Sequence, residues 1–509
     1  MKIYKRRLVL LTTFFTLVAI TQTYSQEPNI VIIYADDMGY GDLQCQNKKS
    51  KIPTPYLNKL ASEGMRFTDA HSSSGICSPS RYALLTGTYH WRRQHGIVNS
   101  FGPPFFNESD VTLPEILKNN GYETAAIGKW HLGFNWNFIN KEPSGERTYW
   151  NKTHKVYLVE DIDWEEPLTG GPLDRGFDYY FGDGTINFPP YAWVENDRFV
   201  TAPSDFFEFN EFEREVKEED WDSRPGPKVK GWDPYTVLPT LTKKTEAWIG
   251  KQNKEKPFFL YLALPSPHAP IIPNDEFDGT SEAGGYGDFM VQTDWVAGQV
   301  LKALKTNGFE DNTIVIFTSD NGPERYAYER AEKYNHFSMG DFRGLKRDVW
   351  EGGHHVPFVI KWPNHIKAGT VSEEVISQVD IMATLAKITK TSIPENAAPD
   401  SYNLLPLLKG KKYKSPLREA TVHNTYKDLW GLRKGKWLYI NKPSGGQGKM
   451  PDFYLKLRGY KDFDTPALLF DMNKDPEQRN NIFEAHPDII QEMSTILEAY
   501  REQGYSVKR

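Results

Sequence analysis

The sequence predicts an α/β fold, with a large domain built on a mainly parallel central sheet flanked by helices and a small C-terminal α+β domain containing an antiparallel sheet. Four short runs of β-branched and aromatic residues have the continuous apolar character of strands buried on both faces. Patterns with helical spacing lie between these runs, as in strands joined by crossover helices. Three of the four runs end in polar residues, at the sheet edge where parallel folds usually bind ligands.

The individual elements follow from these patterns in chain order. The predicted strands are residues 29–34, 257–264, 313–318 and 356–360. The clearest helical patterns are residues 54–63, 113–119, 294–306 and 379–388. Residues 135–235 are rich in aromatic, glycine, proline and acidic residues with weak periodicity, which predicts long loops inserted on the large domain.

The pattern changes near residue 410. Residues 432–440 predict a hairpin with its turn at Lys434-Gly435. A short strand at 468–471 and an amphipathic helix at 488–503 follow. We therefore expect a large domain over residues 26–409 and a small domain over residues 410–509.

Composition and charge exclude several classes of protein. Hydrophobic residues make up 39% and charged residues 25% of the 509 residues, which is an ordinary globular composition and excludes membrane, disordered and fibrous chains. The net charge is −6, and without residues 1–25 the 57 basic and 67 acidic residues give −10. An acidic chain argues against nucleic acid as a partner. Two cysteines exclude both a disulfide framework and a thiolate zinc site.

The first 25 residues are predicted to be a secretory signal peptide. Basic residues 5–7 precede an apolar run at residues 8–20, and a polar stretch ends near Ser25. The 13-residue run is shorter than the ~20 residues of a spanning helix, so we expect no membrane anchor. The mature protein would begin near Gln26 and act in the periplasm or as a secreted protein.

The segment that begins at Cys77 is the most specific motif of the chain. Cys77-x-Pro79-x-Arg81 is followed by Leu85-Thr-Gly, and Pro79 suits the first turn of a helix. Cys77 would then lie at a helix N-terminus, where free amides and the helix dipole favour an anion. Arg81 can return to the same face and offer a planar fork to oxyanions.

With this motif the chain resembles the type I sulfatases, the formylglycine-dependent members of the alkaline phosphatase superfamily, over roughly residues 28–500. Within that family it resembles bacterial polysaccharide sulfatases. The resemblance implies an alkaline phosphatase-like fold and oxidation of Cys77 to formylglycine by a formylglycine-generating or anaerobic maturation enzyme. The hydrated aldehyde would be the nucleophile of a sulfuric ester hydrolase.

Two pairs of polar residues predict a metal site. Asp36-Asp37 end the first strand and Asp320-Asn321 end a later one. Three carboxylates and an amide, with one oxygen from residue 77, form an all-oxygen site suited to Ca²⁺ or Mg²⁺. The resemblance implies that these four residues and position 77 bind one divalent cation, usually calcium.

The resemblance also implies a sulfate-binding set, carried over residue by residue to Arg81, Lys129, His131, His268 and Lys346. The cations would offset charge on the sulfuryl oxygens in the transition state. His268, with Lys346 nearby, is the candidate proton donor to the leaving oxygen. His131 is the candidate base for the second hydroxyl of the hydrated aldehyde.

Two alternative functions remain open from the sequence. A phosphatase or phosphodiesterase of the same superfamily would use Ser or Thr and two zinc ions, whereas here Cys77 and Asn321 favour one hard cation. A non-catalytic glycan-binding protein is the second alternative, because aromatic residues make up 14% of the chain and can stack on sugars. Such a protein would have no need of the metal and proton-transfer residues.

The expected substrate is a sulfated oligo- or polysaccharide met outside the cell, either an algal galactan or ulvan or an animal glycosaminoglycan. Small aryl sulfates are expected to be poor substrates. The inserted segments 187–191 and 195–198 are candidates for the leaving-group pocket. The candidate substrate-binding residues are His90, Trp91, Arg92, Tyr191 and Arg198.

Overall fold

The computed structural model describes residues 27–209, 216–218, 222–411 and 416–507. The predicted signal peptide therefore lies outside the described residues. None of the helices in the described ranges combines the length and apolar character that crossing a bilayer requires.

The described residues form twenty strands and eleven α-helices. The strands are β1 (Asn29–Ala35), β2 (Met65–Phe67), β3 (Ala70–His71), β4 (Glu123–Gly128), β5 (Gly145–Tyr149), β6 (Lys152–Val156), β7 (Tyr179–Gly182), β8 (Val194–Glu195), β9 (Arg198–Phe199), β10 (Asp205–Phe207), β11 (Gly226–Lys228), β12 (Phe258–Ala263), β13 (Thr313–Ser319), β14 (Phe358–Lys361), β15 (Thr370–Ser372), β16 (Ile376–Ser377), β17 (Thr421–Asn424), β18 (Trp430–Lys434), β19 (Trp437–Ile440) and β20 (Leu468–Asp471). The α-helices are α1 (Pro55–Glu63), α2 (Cys77–Thr86), α3 (Leu113–Asn119), α4 (Val237–Gly250), α5 (Gly284–Thr306), α6 (Ala327–Tyr334), α7 (Glu351–His354), α8 (Asp380–Ile388), α9 (Leu405–Leu408), α10 (Asp452–Arg458) and α11 (Pro487–Glu502).

A ten-stranded sheet forms the centre of the large unit, in the order β15-β2-β14-β13-β1-β12-β4-β7-β8-β9. Strands β13, β1, β12, β4 and β7 are parallel neighbours, which confirms the predicted mainly parallel sheet. The predicted strand at residues 356–360 forms β14, which runs antiparallel to β13. The chain between them stays at the carboxyl edge of the sheet in α6 and α7, so it re-enters the sheet in the opposite direction.

Alternate residues of β1 face two separate hydrophobic cores. Ile30 and Ile32 pack with α2, α3 and α8 on one face, and Val31 and Ile33 pack with α1, α4 and α5 on the other. All four side chains are fully buried. The unbroken apolar sequence of this strand follows from helices covering both faces of the sheet.

The predicted helices form, and the main difference is the start of α5. This helix begins at Gly284 rather than at Asp294. Its glycine-rich first turns have low helix propensity and resemble a loop in the sequence. Close packing explains the glycines, because a Cβ at Gly285 would lie 2.9 Å from the backbone oxygen of Lys217.

Strands β17–β20 form a four-stranded antiparallel sheet covered by α11, as expected for the C-terminal region. The predicted hairpin is β18–β19, although its connection is Gly435-Lys436, one residue later than expected. Ala83 of α2 packs in the same core as Val422 of β17 and Leu497 of α11. The small sheet therefore lies directly against the helix that begins with Cys77, while the domain boundary near residue 410 stays a prediction.

Candidate active site

The carboxyl ends of four neighbouring parallel strands bring the predicted site residues together. Asp36 and Asp37 follow β1, Asp320 and Asn321 follow β13, Lys129 and His131 follow β4, and His268 follows β12. Cys77 and Arg81 come from α2, and Lys346 comes from the loop before α7. Because the four strands are adjacent and point the same way, residues far apart in sequence meet at one edge.

Cys77 is the first residue of α2 and is 2% exposed. Its Sγ lies 3.6 Å from Oδ1 of Asp36. Burial raises the pKa of the Cys77 thiol, and this effect outweighs the nearby positive charges of Lys129 and Lys346. The unmodified thiol is therefore held neutral, although it lies at a helix N-terminus that favours an anion.

Gly128 allows Lys129 to enter the site. Its backbone φ of 104° lies in a region that residues other than glycine rarely adopt. A Cβ at this position would lie 2.0 Å from the carbonyl oxygen of Ala263. The amide of Lys129 donates to that same oxygen at 2.8 Å. The close approach of β4 to β12 thus turns the chain so that the Lys129 side chain reaches Asp36.

Each carboxylate of the site contacts at least one buried cation. Nη2 of Arg81 donates to Oδ2 of Asp320 at 2.8 Å, and Nζ of Lys346 donates to Oδ2 of Asp37 at 2.7 Å. Nζ of Lys129 contacts Oδ2 of Asp36. The six side chains are all between 0% and 4% exposed, so these charges interact with little screening by water.

The neighbouring charges shift the carboxylate pKa values in opposite directions. Burial alone would raise the pKa of Asp36, but the positive charge of Lys129, helped by His268 and Arg81, lowers it well below its usual value. Burial raises the pKa of Asp320 to about 7, and repulsion from Asp36 adds to this despite the contact with Arg81. The protein cations therefore outweigh burial at Asp36, whereas at Asp320 they do not.

The residues at this edge fit a hard divalent cation. Asn321 donates from Nδ2 to Asp37 at 2.7 Å, while its Oδ1 is buried without a hydrogen-bond partner in the described part of the chain. Ligand atoms of Asp36, Asp37, Cys77 and His268 all lie within 4.8 Å of one another. Carboxylate and amide oxygens are the donors that Ca²⁺ and Mg²⁺ prefer, and a cation would relieve the repulsion between the acids.

His131 presents a free acceptor nitrogen. Its Nε2 donates to the carbonyl oxygen of Val98 at 2.9 Å, so in the neutral ring Nδ1 holds the lone pair. Nδ1 is buried and has no hydrogen-bond partner among the described residues. Burial, helped by the charges of Lys129 and Arg81, lowers the pKa of His131 well below its usual value, which keeps the ring neutral.

His268 has the opposite arrangement of its ring nitrogens. Nδ1 donates to the carbonyl oxygen of Ala269 at 2.5 Å, which leaves Nε2 directed at Oδ2 of Asp37 from 3.5 Å. Burial lowers the pKa of His268, and the negative charge of Asp37 opposes this. When protonated, Nε2 is the ring atom that can transfer a proton.

A cavity of about 490 Å³ opens above Cys77, and residues that the sequence did not single out line most of its wall. The predicted segment 187–191 also reaches this wall, with Asn187 and Phe188. The other wall residues outside the predicted set are Ile76, Gly96, Ile97, Asn99, Trp150, Asp222, Arg224, Glu324, Arg347 and Tyr426. They come from seven separate stretches of chain, so no single local motif could have identified them.

The contacts of two arginines shape this wall. Arg224 stacks on the ring of Phe188, with its guanidinium carbon 3.7 Å from the ring centroid, and donates to Oδ1 of Asn99 at 3.2 Å. Arg347 donates to Glu324 at 2.6 Å, and Glu324 also lies 3.6 Å from Nζ of Lys346. The cavity thus has a mixed polar and apolar wall of the kind that binds polar organic groups.

The predicted substrate-binding residues His90, Trp91 and Arg92 are not among the described residues that line this cavity. His90 is fully buried and bonds Oδ1 of Asn424 at 3.2 Å. Arg92 forms a two-point ion pair with Asp400 at 2.8 Å, and its guanidinium stacks over Trp91. These three side chains join α2 to the C-terminal region instead.

Tyr191 and Arg198 are likewise absent from the described cavity wall. The Tyr191 hydroxyl is buried and donates to the carbonyl oxygen of Arg224 at 2.6 Å, so it supports that arginine from behind. Arg198 lies on the edge strand β9 and donates to the carbonyl oxygen of Glu165 at 2.6 Å. Sequence alone could not separate aromatic and basic residues that fix loops from those that face a ligand.

Comparison with known proteins identifies the family. The sulfatase family model matches residues 28–391, and a model described as N-sulphoglucosamine sulphohydrolase, C-terminal, matches residues 341–503. The chain is 34% identical over 513 residues to an N-acetylgalactosamine-6-O-sulfatase of Bacteroides thetaiotaomicron, with 94% of each chain covered. It is 31% identical over 419 residues to human N-acetylgalactosamine-6-sulfatase, which covers 77% of this chain and 68% of the human one.

A solved structure leads to the same result. A chain from a study of the metabolism of multiple glycosaminoglycans by Bacteroides thetaiotaomicron superposes with a TM-score of 0.77 and 31% identity, covering 94% of this chain and 100% of the other. The match extends over both the central sheet and the C-terminal sheet. With the family model, the relatives and this structure in agreement, the chain belongs to the sulfatase family and is a sulfuric ester hydrolase.

Proposed function

We propose that this sulfatase removes an O-sulfate group from a sulfated carbohydrate, and that N-acetylgalactosamine 6-sulfate in a glycosaminoglycan is its preferred sulfated unit. The observation that supports the chemistry is the convergence of Cys77, three acids and three buried cations at one sheet edge. The names of the bacterial and human relatives support the choice of sugar.

Cys77 is proposed to be converted to formylglycine by a separate maturation enzyme. The hydrated aldehyde would supply at this position the hydroxyl that attacks sulfur. A single Ca²⁺ ion, with Mg²⁺ as the alternative, would be held by Asp36, Asp37, Asp320, Asn321 and an oxygen of residue 77. When bound, this ion would stabilise negative charge on the nucleophile and on the sulfuryl group.

The buried cations of the chain are proposed to bind the sulfate group. Arg81, Lys129 and Lys346 each contact one of the site carboxylates. These three side chains would be available to the sulfuryl oxygens when those carboxylates ligate a metal ion. Because they lie in a dry site, they offset the transition-state charge more strongly than water would.

Two histidines are proposed to move the protons. His268 would protonate the sugar oxygen as its bond to sulfur breaks, since its Nε2 faces the site. His131 would accept the proton of the second hydroxyl at residue 77, so that the C–O bond to sulfate breaks and the aldehyde is restored. The buried lone pair on its Nδ1 supports this role.

The cavity above Cys77 is proposed to hold the sugar. Trp150 is 48% exposed at the tip of the β5–β6 hairpin and lines the cavity, so its ring can stack on a sugar face. Arg224 and Asp222 line the same wall and offer a donor and an acceptor for ring hydroxyls. The candidates His90, Trp91, Arg92, Tyr191 and Arg198 are not included in this proposal.

The location and the domain division also remain proposals. The segment at residues 1–25 supports export to the periplasm or outside the cell, where sulfated polysaccharides are found. A division into residues 26–409 and 410–509 is supported by the start of the antiparallel sheet at Thr421.

We expect a panel of defined sulfated oligosaccharides to show sulfate release from N-acetylgalactosamine 6-sulfate units at least ~10-fold faster, in kcat/KM, than from 4-sulfated units. A site that binds a 6-sulfate must orient the sugar differently from one that binds a 4-sulfate. Released sulfate is measured by ion chromatography. Faster cleavage of small aryl sulfates than of every oligosaccharide would contradict the proposal.

Cys77→Ser is expected to lower kcat by at least ~10⁴-fold while leaving the thermal midpoint unchanged, because the nucleophile is lost. Cys45→Ser is the matched control, since Cys45 is the other free cysteine and lies outside the site. Peptide mass spectrometry of the wild-type protein should show an aldehyde at position 77. Full activity of Cys77→Ser would refute the assignment of the nucleophile.

His268→Gln is expected to lower kcat on the sugar sulfate by ~10²–10⁴-fold and to have a smaller effect on an aryl sulfate whose phenol leaves easily. A good leaving group needs no proton donor, whereas a sugar alkoxide does. The ratio of the two rates measures this directly. An equal loss on both substrates would show that His268 is not the acid.

Trp150→Ala is expected to raise KM for the oligosaccharide by about 2- to 12-fold, as expected for an aromatic contact of ~0.5–1.5 kcal/mol, with little change in kcat. Tyr56→Ala serves as the control, because Tyr56 is an exposed aromatic residue on α1 that does not line the cavity. Equal KM values for the two variants would exclude Trp150 from substrate binding.

A further inference from the structure

A second cluster of buried histidines lies outside the catalytic cavity. His71 ends β3, His354 ends α7 and His423 belongs to β17. One ring nitrogen from each lies within 4.8 Å of the others, and all three residues are at most 1% exposed. Three elements that are distant in sequence therefore direct imidazole nitrogens at a common point.

The hydrogen bonds of two of these histidines fix their tautomers. Nε2 of His71 faces a carboxylate oxygen of Asp69 at 2.6 Å, and Nε2 of His354 faces the carbonyl oxygen of Val349 at 3.1 Å. Both oxygens can only accept, so both Nε2 atoms carry the hydrogens. In neutral rings the two Nδ1 lone pairs then face each other at 3.0 Å, a repulsive contact unless a cation lies between them.

The third histidine has no hydrogen-bond partner in the described ranges. Both ring nitrogens of His423 are buried and unpartnered, and its ring is parallel to that of His354 with centroids 3.8 Å apart. Burying a polar nitrogen without a partner destabilises a protein, and a ligand for this nitrogen would remove that cost. The His423 ring would have to rotate out of its stack on His354 to direct a nitrogen at the two Nδ1 atoms.

The acids around the cluster already have other partners. His355 faces the carbonyl oxygen of Thr68 with Nε2 and a carboxylate oxygen of Glu351 with Nδ1, each at 2.8 Å. Arg433 contacts Asp69 at 3.1 Å and lies 3.9 Å from Glu351. Both acids therefore contact basic side chains outside the three-histidine cluster.

We propose that His71 Nδ1, His354 Nδ1 and a ring nitrogen of His423 bind a transition-metal ion, with Zn²⁺ as the preferred ion. Imidazole nitrogens on tetrahedral zinc lie about 2.0–2.1 Å from the metal and hence about 3.3 Å apart, close to the separation of the two Nδ1 atoms. Asp69 and the Val349 carbonyl accept from the opposite nitrogens, which is the usual second layer of contacts around zinc-binding histidines.

The proposed ion would have a structural role. It would tie β3, which leads directly into α2 and Cys77, to α7 and to the first strand of the C-terminal sheet. Its nitrogen ligands also distinguish it from the oxygen-rich catalytic site, because zinc prefers imidazole whereas Ca²⁺ prefers oxygen. The two sites can therefore be filled by different ions in the same protein.

Metal analysis of the full-length protein tests this site. The protein is stripped with EDTA, refilled with Ca²⁺ in excess to occupy the catalytic site, titrated with Zn²⁺ and measured by plasma mass spectrometry. Wild-type protein should bind about one Zn²⁺ per chain and gain thermal stability from it. His423→Gln should weaken Zn²⁺ binding by at least ~10-fold and abolish that gain.

His336→Gln is the matched control, because His336 is also buried and bonds Asp42 at 2.8 Å but lies outside the cluster. It should lose stability without losing the zinc. Anomalous diffraction from wild-type crystals at the zinc edge gives a result that does not depend on any variant. A peak about 2.0–2.1 Å from the three nitrogens supports the site. Zinc-treated crystals with no peak there, or equal Zn²⁺ binding by wild type and His423→Gln, would overturn it.

Discussion

Compensation of buried charge is the constraint on which the catalytic site depends. Asp36, Asp37 and Asp320 are removed from water, and each contacts at least one cation that is buried with it. Such pairs need the geometry of the whole sheet edge to be correct, since loss of one partner leaves an unpaired charge in a dry pocket. The strand order β13-β1-β12-β4 supplies that geometry, and the two packed cores on either side hold it rigid.

Much of the fold and of the reactive centre could be predicted because both are encoded locally. The apolar runs of β1, β12 and β13 identify buried parallel strands, and the polar residues that follow them must then meet at one edge. The motif at Cys77 gives the helix and Arg81. Residues at strand ends are found in this way from a single sequence, because their position depends only on the direction of the sheet.

The cavity wall could not be predicted, because it is assembled from segments with no common pattern. Asp222 and Arg224 lie in the inserted region, Arg347 and Glu324 flank α6, and Tyr426 follows β17. Trp91 and Tyr191 were expected to face the ligand, but neither is among the described residues of the cavity wall. Aromatic residues near a site are often required to pack its supporting loops, as these two do.

The C-terminal sheet is part of the active-site structure rather than an appendage. Val422 of this sheet packs in the same core as Ala83 of α2. Tyr426, which follows β17, lines the cavity, and the ring of His423 stacks on that of His354 in α7. Displacement of this sheet would move α2 and open the base of the cavity. Selection on the distant C-terminal residues is therefore expected to be coupled to the chemistry at residue 77.

The burial of α2 has a consequence for the order of events in biosynthesis. All ten of its residues are shielded, and the Cys77 thiol lies at the bottom of the cavity beneath Asp36. A catalyst that oxidises this thiol has to hold the flanking peptide in its own cleft, and the finished fold leaves no free backbone there to hold. In the proposed maturation, oxidation of Cys77 would therefore have to precede folding, and a chain that folded first would stay inert.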